Sequence, residues 1–192
     1  MKTKFCAAVL IGILAPAAAR ADDAPQSGTA SIQLMGKVPA VCTLINPTLS
    51  GDAMEQGASG NFASRALITG FAGSEGLHSG SEFRITFEKG TCNFMAYLSL
   101  SSSNVGMRPG STTPVPGFAA QVHYTATAVW GSGGPTVTLN TASQAKANNG
   151  VRVSPRSEPV TIDVRTAPST LPLLNTTSPY QDTLTVQVGE AL

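Results

Sequence analysis

The sequence predicts an all-β sandwich, and three observations carry that reading. Six or seven short runs alternate apolar with polar residues or are rich in β-branched and aromatic ones. The 19 glycines and 13 prolines collect between these runs, as turns require. No stretch carries an amphipathic helical stripe with capping residues at its ends.

The chain opens with a secretory signal pattern. Lys2 and Lys4 form a positive n-region, Phe5 to Ala18 is apolar, and Ala19-Arg20-Ala21 has the small-residue spacing of a cleavage site. Residues 1–21 are therefore expected to be removed, with Asp22 as the mature terminus. The alternative, an uncleaved anchor, sits badly with Gly12 and Pro16 inside the apolar stretch, and no other segment approaches transmembrane length. Cleavage removes three of the 12 basic residues and none of the 11 acidic ones, leaving a net charge of −2. That balance gives no nucleic-acid footprint. The remaining length suits one domain with a substantial core, divided into an N-terminal extension over 22–36 and a β-domain over 37–192.

The extension leads into the longest alternation in the chain. From Ala30 to Cys42, the residues Ala30, Ile32, Leu34, Gly36, Val38, Ala40 and Cys42 share one side. At about 3.3 Å per residue this run would extend roughly 43 Å, more than one small sheet uses, so part of it is expected to pair with another molecule. The alternative is that Ala30 to Leu34 starts the protein's own first strand, bending at Gly36 or Pro39 and remaining in cis.

Cys6 leaves with the signal, so the exported chain retains two cysteines, Cys42 and Cys92. In an oxidising compartment their pairing is unique, and closing a loop of about 50 residues stabilises a fold by roughly 3–4 kcal/mol on the chain-entropy account. A metal or thiol-redox pair lacks both CxxC spacing and a nearby histidine.

The other elements follow in order. Ser50 to Gly60 is expected to be a solvent-facing loop. Glu82 to Glu88 sets Phe83, Ile85 and Phe87 against charged and polar neighbours, and Phe94 to Ser101 places Phe94, Ala96, Leu98 and Leu100 on one parity. Arg108 to Gly117, with Pro109, Pro114 and Pro116, is a second exposed loop. Gln121 to Trp130 is a Val/Thr/Tyr/Trp strand, and Thr136 to Leu139 follows the glycine-rich turn at 131–135. Pro159 to Thr166 supplies Val160, Ile162 and Val164, and the last run, Asp182 to Val188, supplies Leu184, Val186 and Val188. Strands at this spacing in a chain with 12% charged and 6% aromatic residues argue for a sandwich of immunoglobulin type. Four residues follow Val188, so the sandwich is expected to lack a final edge strand and to keep an open groove. An open apolar edge is a hazard that proteins cover, and the surplus N-terminal strand has the pattern to cover one in a neighbour.

Signals for catalysis are weak. His78 and His123 occur without HExxH or HxH spacing, and GxSxG, P-loop and GxGxxG motifs are absent. A His123–Asp163–serine triad is the most that an enzymatic reading can assemble. Tyr124 and Trp130 are either core anchors or an aromatic sugar-binding surface. No cofactor or metal is expected, and the protein is expected not to be an enzyme.

Two segments carry a family resemblance. Ser31-Ile-Gln-Leu-Met-Gly-Lys-Val-Pro-Ala-Val-Cys-Thr-Leu44 resembles the N-terminal extension and first-strand cysteine of chaperone-usher pilins, and Tyr180-Gln-Asp-Thr-Leu-Thr-Val-Gln-Val188 resembles the end of the spore coat protein U group, which includes archaic chaperone-usher pilus subunits. The resemblance implies an incomplete immunoglobulin-like β-sandwich completed by donor-strand complementation. Ala30, Ile32 and Leu34 would be donor side chains, and Leu184, Val186 and Val188 would line the last strand beside the acceptor groove. The implied partners are a periplasmic chaperone, an outer-membrane usher and further copies or related subunits, with export to the periplasm and then to a surface fimbria serving adhesion or biofilm formation. The ending Gly189-Glu190-Ala191-Leu192 departs from the classical pilin pattern by lacking a penultimate tyrosine. A non-fibrous surface coat, a carbohydrate-binding adhesin module and a small secreted hydrolase are the competing function classes.

Mass spectrometry of non-reduced mature protein is expected to show Cys42 joined to Cys92, and Cys92→Ser to lower periplasmic accumulation. Free thiols at both positions in folded protein would contradict the pairing.

Overall fold

The computed structural model describes residues 33, 35–56, 65–110, 113–143, 147, 150–176 and 178–190. The signal region, and with it Ala30, Ile32 and Leu34, lies outside them. All of the strands fall within the unit Val38–Leu192. Among the described residues the regular structure is β throughout, apart from a single 3-10 turn at Thr141–Ser143. Among the described residues no helix is long and apolar enough to cross a membrane.

A five-stranded antiparallel sheet has the order β1-β4-β10-β7-β8, comprising β1 (Cys42–Gly51), β4 (Glu82–Cys92), β10 (Arg156–Thr166), β7 (Tyr124–Trp130) and β8 (Thr136–Asn140). Period-2 alternation decides which residues enter the core. On β7, Tyr124, Ala126, Ala128 and Trp130 are buried while Thr125, Thr127 and Val129 face outward. Small Ala126 and Ala128 leave room for Trp130, whose fully buried indole N–H donates to Glu158 O at 3.1 Å. Pro159 has no N–H to give a ladder, yet it sits in β10 between two neighbours. The register accommodates it by shifting between Glu158 and Val160, so that two β4 residues, Glu88 and Lys89, face one β10 residue. The same irregularity reverses the inward parity of β4, from Phe83, Ile85 and Phe87 to Gly90 and Cys92. β1 reverses in step at Asn46, which adopts a left-handed φ of 50° and donates from Nδ2 to Glu88.

A three-stranded antiparallel sheet, β12-β5-β9, faces the first: β12 (Leu184–Gly189), β5 (Ala96–Ser102) and β9 (Val151–Val153). Leu98, Leu100 and Val153 from this sheet and Trp130, Val160, Ile162 and Leu139 from the other form one core cluster. Two small ribbons complete the described strands, β2 (Ala53–Gln56) with β3 (Arg65–Ile68), and β6 (Arg108–Pro109) with β11 (Tyr180–Gln181). Cys42 and Cys92 form a disulfide between residues that face each other in register.

Several expectations are corrected. The alternation that reaches Cys42 does not make one strand in its described part, because residues 35–41 pair in no ladder and β1 begins at Cys42. Pro39 lacks a donor, and Met35 and Val38 point into solvent at 87% and 78% exposure. Val41 is held instead by Asn93, whose side-chain carbonyl accepts from Val41 N at 2.8 Å while its amide donates to Pro39 O at 2.7 Å. The Ser50 to Gly60 stretch contains the end of β1 and all of β2, and the short strands β3, β6, β9 and β11 carry no alternation long enough to read. Tyr124 and Trp130 are core residues, which removes them as a sugar-binding surface.

Buried Gly90 has no room for a side chain. A Cβ there would lie 2.7 Å from Val160 Cγ2, 3.1 Å from Leu44 Cδ2 and 3.2 Å from the Trp130 ring nitrogen. Gly90→Ala is expected to destabilise the fold by about 1–3 kcal/mol through overpacking, measured as a lower denaturant midpoint at unchanged m-value.

Candidate functional site: an open seam between the sheets

Burial is uneven across the core. Where β7, β10 and β5 meet, the side chains are sealed: Trp130, Leu98, Leu100, Val160 and Ile162 are each 0% exposed. Along the other flank the inward-pointing residues of β1, β4 and β12 are only partly covered, namely Leu44, Leu49, Ile85, Phe87, Leu184, Val186 and Val188. Among the described residues β1 is hydrogen-bonded only to β4, and β12 only to β5. β1 and β12 are therefore edges of different sheets among the described residues, and a gap opens beside β12.

The gap is a groove of about 810 Å³. Its floor comes from the partly covered Ile85 and Phe87 of β4, backed by the buried Phe83 of β4 and Ile162 and Val164 of β10. Leu184 and Val186 of β12 form one wall and β3 contributes to the other. Of the three last-strand residues picked out from the sequence, Leu184 and Val186 line the groove. Val188 continues the same parity along β12, paired in register with Leu98. The donor candidates Ala30, Ile32 and Leu34 are not among the described residues, and Cys42–Cys92 ties the start of β1 to β4.

At the head of β12 the groove changes from apolar to polar. Asp182 accepts hydrogen bonds at both carboxylate oxygens. Oδ2 receives the hydroxyls of Ser102 (2.5 Å) and Tyr124 (2.8 Å) and the N–H of Gly106 (3.2 Å); Oδ1 receives the Ser103 hydroxyl (2.8 Å) and the N–H groups of Asn104 (2.9 Å) and Thr183 (2.7 Å). One anion thus joins the end of β5, the start of β7 and the start of β12. The loop that wraps it is strained. Buried, β-branched Val105 takes φ 61°, and the adjacent Gly106 takes 125°. Burial opposes ionisation of Asp182, but the hydrogen bonds from Ser102, Ser103, Tyr124 and Asn104 outweigh it and hold the carboxyl below its ordinary pKa. Burial pushes the Tyr124 phenol up, and the neighbouring carboxylate adds to that rise, so Tyr124 remains a donor. Sequence reading assigned Asp182 no role, since an aspartate opening a strand looks like turn chemistry.

The residues of the hypothetical triad go elsewhere. Arg84 donates to both Asp163 oxygens at 2.6 and 2.9 Å, and the His123 ring is hydrogen-bonded to Gln121. His78 is buried between Phe71 O and the Thr166 hydroxyl, at 2.6 and 2.7 Å. Among the described residues no group of three or more His, Cys, Asp and Glu side chains is placed to hold a metal. No protein-family model, curated protein or solved structure matches the chain, so the seam is interpreted from its own geometry.

The depressed Asp182 pKa fixes a sign. Its contribution to stability is complete above the unfolded carboxyl pKa of about 4 and is lost as pH falls through the folded value. Asp182→Asn is expected to be less stable than wild type, by most at pH 6–7, with the gap narrowing below about pH 4. Urea denaturation of both proteins across pH 3–7 measures it; a gap independent of pH would show that the charge is immaterial.

Proposed function

We propose that this protein is a structural subunit of an extracellular fimbria, built as an incomplete immunoglobulin-like sandwich whose missing strand is supplied by another chain. The observation that carries the reading is the strand order around the seam. An immunoglobulin constant-type domain places strands A, B, E and D in one sheet and C, F and G in the other. Taking β1, β4, β5, β7, β10 and β12 as A to F, the order β1-β4-β10-β7 is A-B-E-D, and β5 beside β12 is C beside F. The position next to F, which G would occupy, is the free edge of β12 over the groove.

A strand laid along that edge gains both backbone partners and an apolar floor. Burying Ile32 and Leu34 contributes about 1.5–3 kcal/mol each, and each added main-chain hydrogen bond a net of about 0.5–1.5 kcal/mol, gains of the same size as the cost of ordering about seven residues. Strand addition also removes the exposed edge. On this reading Ala30, Ile32 and Leu34 enter the groove of the next subunit. A periplasmic chaperone occupies the groove beforehand, an outer-membrane usher drives the exchange, and the product serves surface adhesion or biofilm formation. The role is structural rather than enzymatic and needs no cofactor. Burial of Tyr124 and Trp130 weakens the carbohydrate-binding alternative, which rested on those rings.

Ile32→Asp tests the proposal, because a carboxylate in the groove would be desolvated without a partner. The variant is expected to be exported and to bind its chaperone, but to lose SDS-resistant oligomers in the presence of chaperone and usher. Oligomers at wild-type yield would sink the assignment of 30–34 as the donor.

A further inference from the structure

We infer that Asp182 is a positioning residue that keeps the acceptor groove open while no strand fills it; this rests on the proposed donor-strand reading. A sandwich lacking one strand has a competing way to cover its core, in which β12 settles onto the groove floor and the half-buried Ile85, Phe87 and Val186 close on one another. The hydrophobic effect is non-directional and favours that collapse as much as it favours an incoming strand. A collapsed subunit would have no groove to offer. Something directional must therefore hold β12 in place, and the described residues provide it at one end of the strand.

The Asp182 carboxylate ties the first residues before β12 to both sheets at once. Ser102, Ser103, Asn104 and Gly106 reach it from the end of β5, and Tyr124 reaches it from β7 across the core. Ser103 and Thr183 add a reciprocal pair beside it, with Ser103 N donating to Thr183 O at 3.0 Å and Thr183 N approaching Ser103 Oγ at 3.1 Å. Hydrogen bonds to an ionised acceptor are stronger and more directional than neutral ones. The left-handed Val105 sits between the two residues whose N–H groups reach the anion, Asn104 and Gly106, while its own N–H donates to Ser102 Oγ at 2.8 Å. Because Asp182 immediately precedes Thr183 and Leu184, anchoring it sets which β12 side chains face the groove. A slip of one residue would turn Leu184 and Val186 away and present Thr183 and Thr185.

An amide cannot replace the carboxylate. Turned toward Oδ1, its NH2 meets the N–H donors of Asn104 and Thr183; turned toward Oδ2, it meets that of Gly106. Asp182→Asn is therefore expected to release the head of β12 without removing an apolar contact.

The test uses the full mature chain carrying Ile32→Asp, so that its own extension does not compete, and a fluorescent synthetic peptide of residues 28–37 as the donor. Adding Asp182→Asn is expected to slow peptide uptake at least tenfold and to raise hydrogen exchange at the β12 amides, while unfolding stays cooperative. Val137→Ala, which opens a core cavity at the distant β8, serves as a control of destabilisation and should take up peptide at the parental rate. If Asp182→Asn fails to fold, Ser103→Ala decides, with uptake expected to fall severalfold. Uptake by Asp182→Asn, or in its place Ser103→Ala, at the parental rate would overturn the positioning role and leave the fibre reading standing. Failure of the parent chain to take up the peptide would overturn both.

Discussion

The controlling constraint is that β12 has a hydrogen-bonded neighbour on one edge only among the described residues. Its other edge runs above a floor of aromatic and branched side chains. Main-chain donors and acceptors on that edge can be satisfied by water, but the floor cannot, because water gives phenylalanine and isoleucine no compensating interaction. The mismatch is what distinguishes this edge from an ordinary one. A polar surface below β12 would make the strand a harmless boundary, whereas an apolar surface leaves an edge of the kind that proteins cover.

The other free edges are handled differently. β8 on the far side of the larger sheet is five residues long and presents Thr136, Thr138 and Asn140 on its exposed face, and β9 on the smaller sheet is three residues long. Short, polar edges discourage pairing with other chains. β12 is six residues long, and its Leu184 and Val186 line the groove. The sealed flank carries what rigidity the domain has. Trp130 fills the space above Gly90, the Pro159 irregularity brings β4 and β10 back into phase, and the cross-strand ion pairs Arg84–Asp163 and Glu82–Arg165 hold their register on the outer face. Those pairs are exposed and worth little individually, yet opposite charges directly across a ladder disfavour a slipped register.

Legibility in the sequence followed the length of the alternating runs. The strands ending in Trp130, Thr166 and Gly189 were readable because β-branched and aromatic residues recur every second position for five residues or more. The Cys42–Cys92 pairing was readable by elimination once Cys6 was assigned to the signal. β2, β3, β6, β9 and β11 were not, since runs of two to four residues contain no period, and their pairing is decided by what lies opposite. Residues 35–41 misled for the converse reason: alternation states which side chains would share a face, while strand formation also needs a partner for the backbone, and Pro39 withholds one donor. Leu184 and Val186 were legible as one face of the last strand, while a place beside a groove was only what the resemblance to pilus subunits implies. The floor residues Phe83, Ile85 and Phe87 were seen as a strand face, but nothing local distinguishes a half-covered face from a sealed one. That difference is set by the absence of a neighbour, which is a property of the assembled sheets.

Asp182 is the least legible part of the site and the most informative physically. Its six hydrogen-bond donors come from residues 102–106, 124 and 183, so no local pattern reveals them. Buried carboxylates are costly unless fully partnered, and a strained Val105 adds to that cost. An apolar residue at 182 would avoid the cost of desolvating a carboxylate but would leave six donors without their acceptor, among them the hydroxyls of buried Ser102 and Tyr124. It would also remove the directional restraint on β12 and leave hydrophobic closure of the seam unopposed. A polar anchor and an apolar wall thus lie two residues apart, with the Asp182 carboxylate joining the ends of three strands and Leu184 lining the groove.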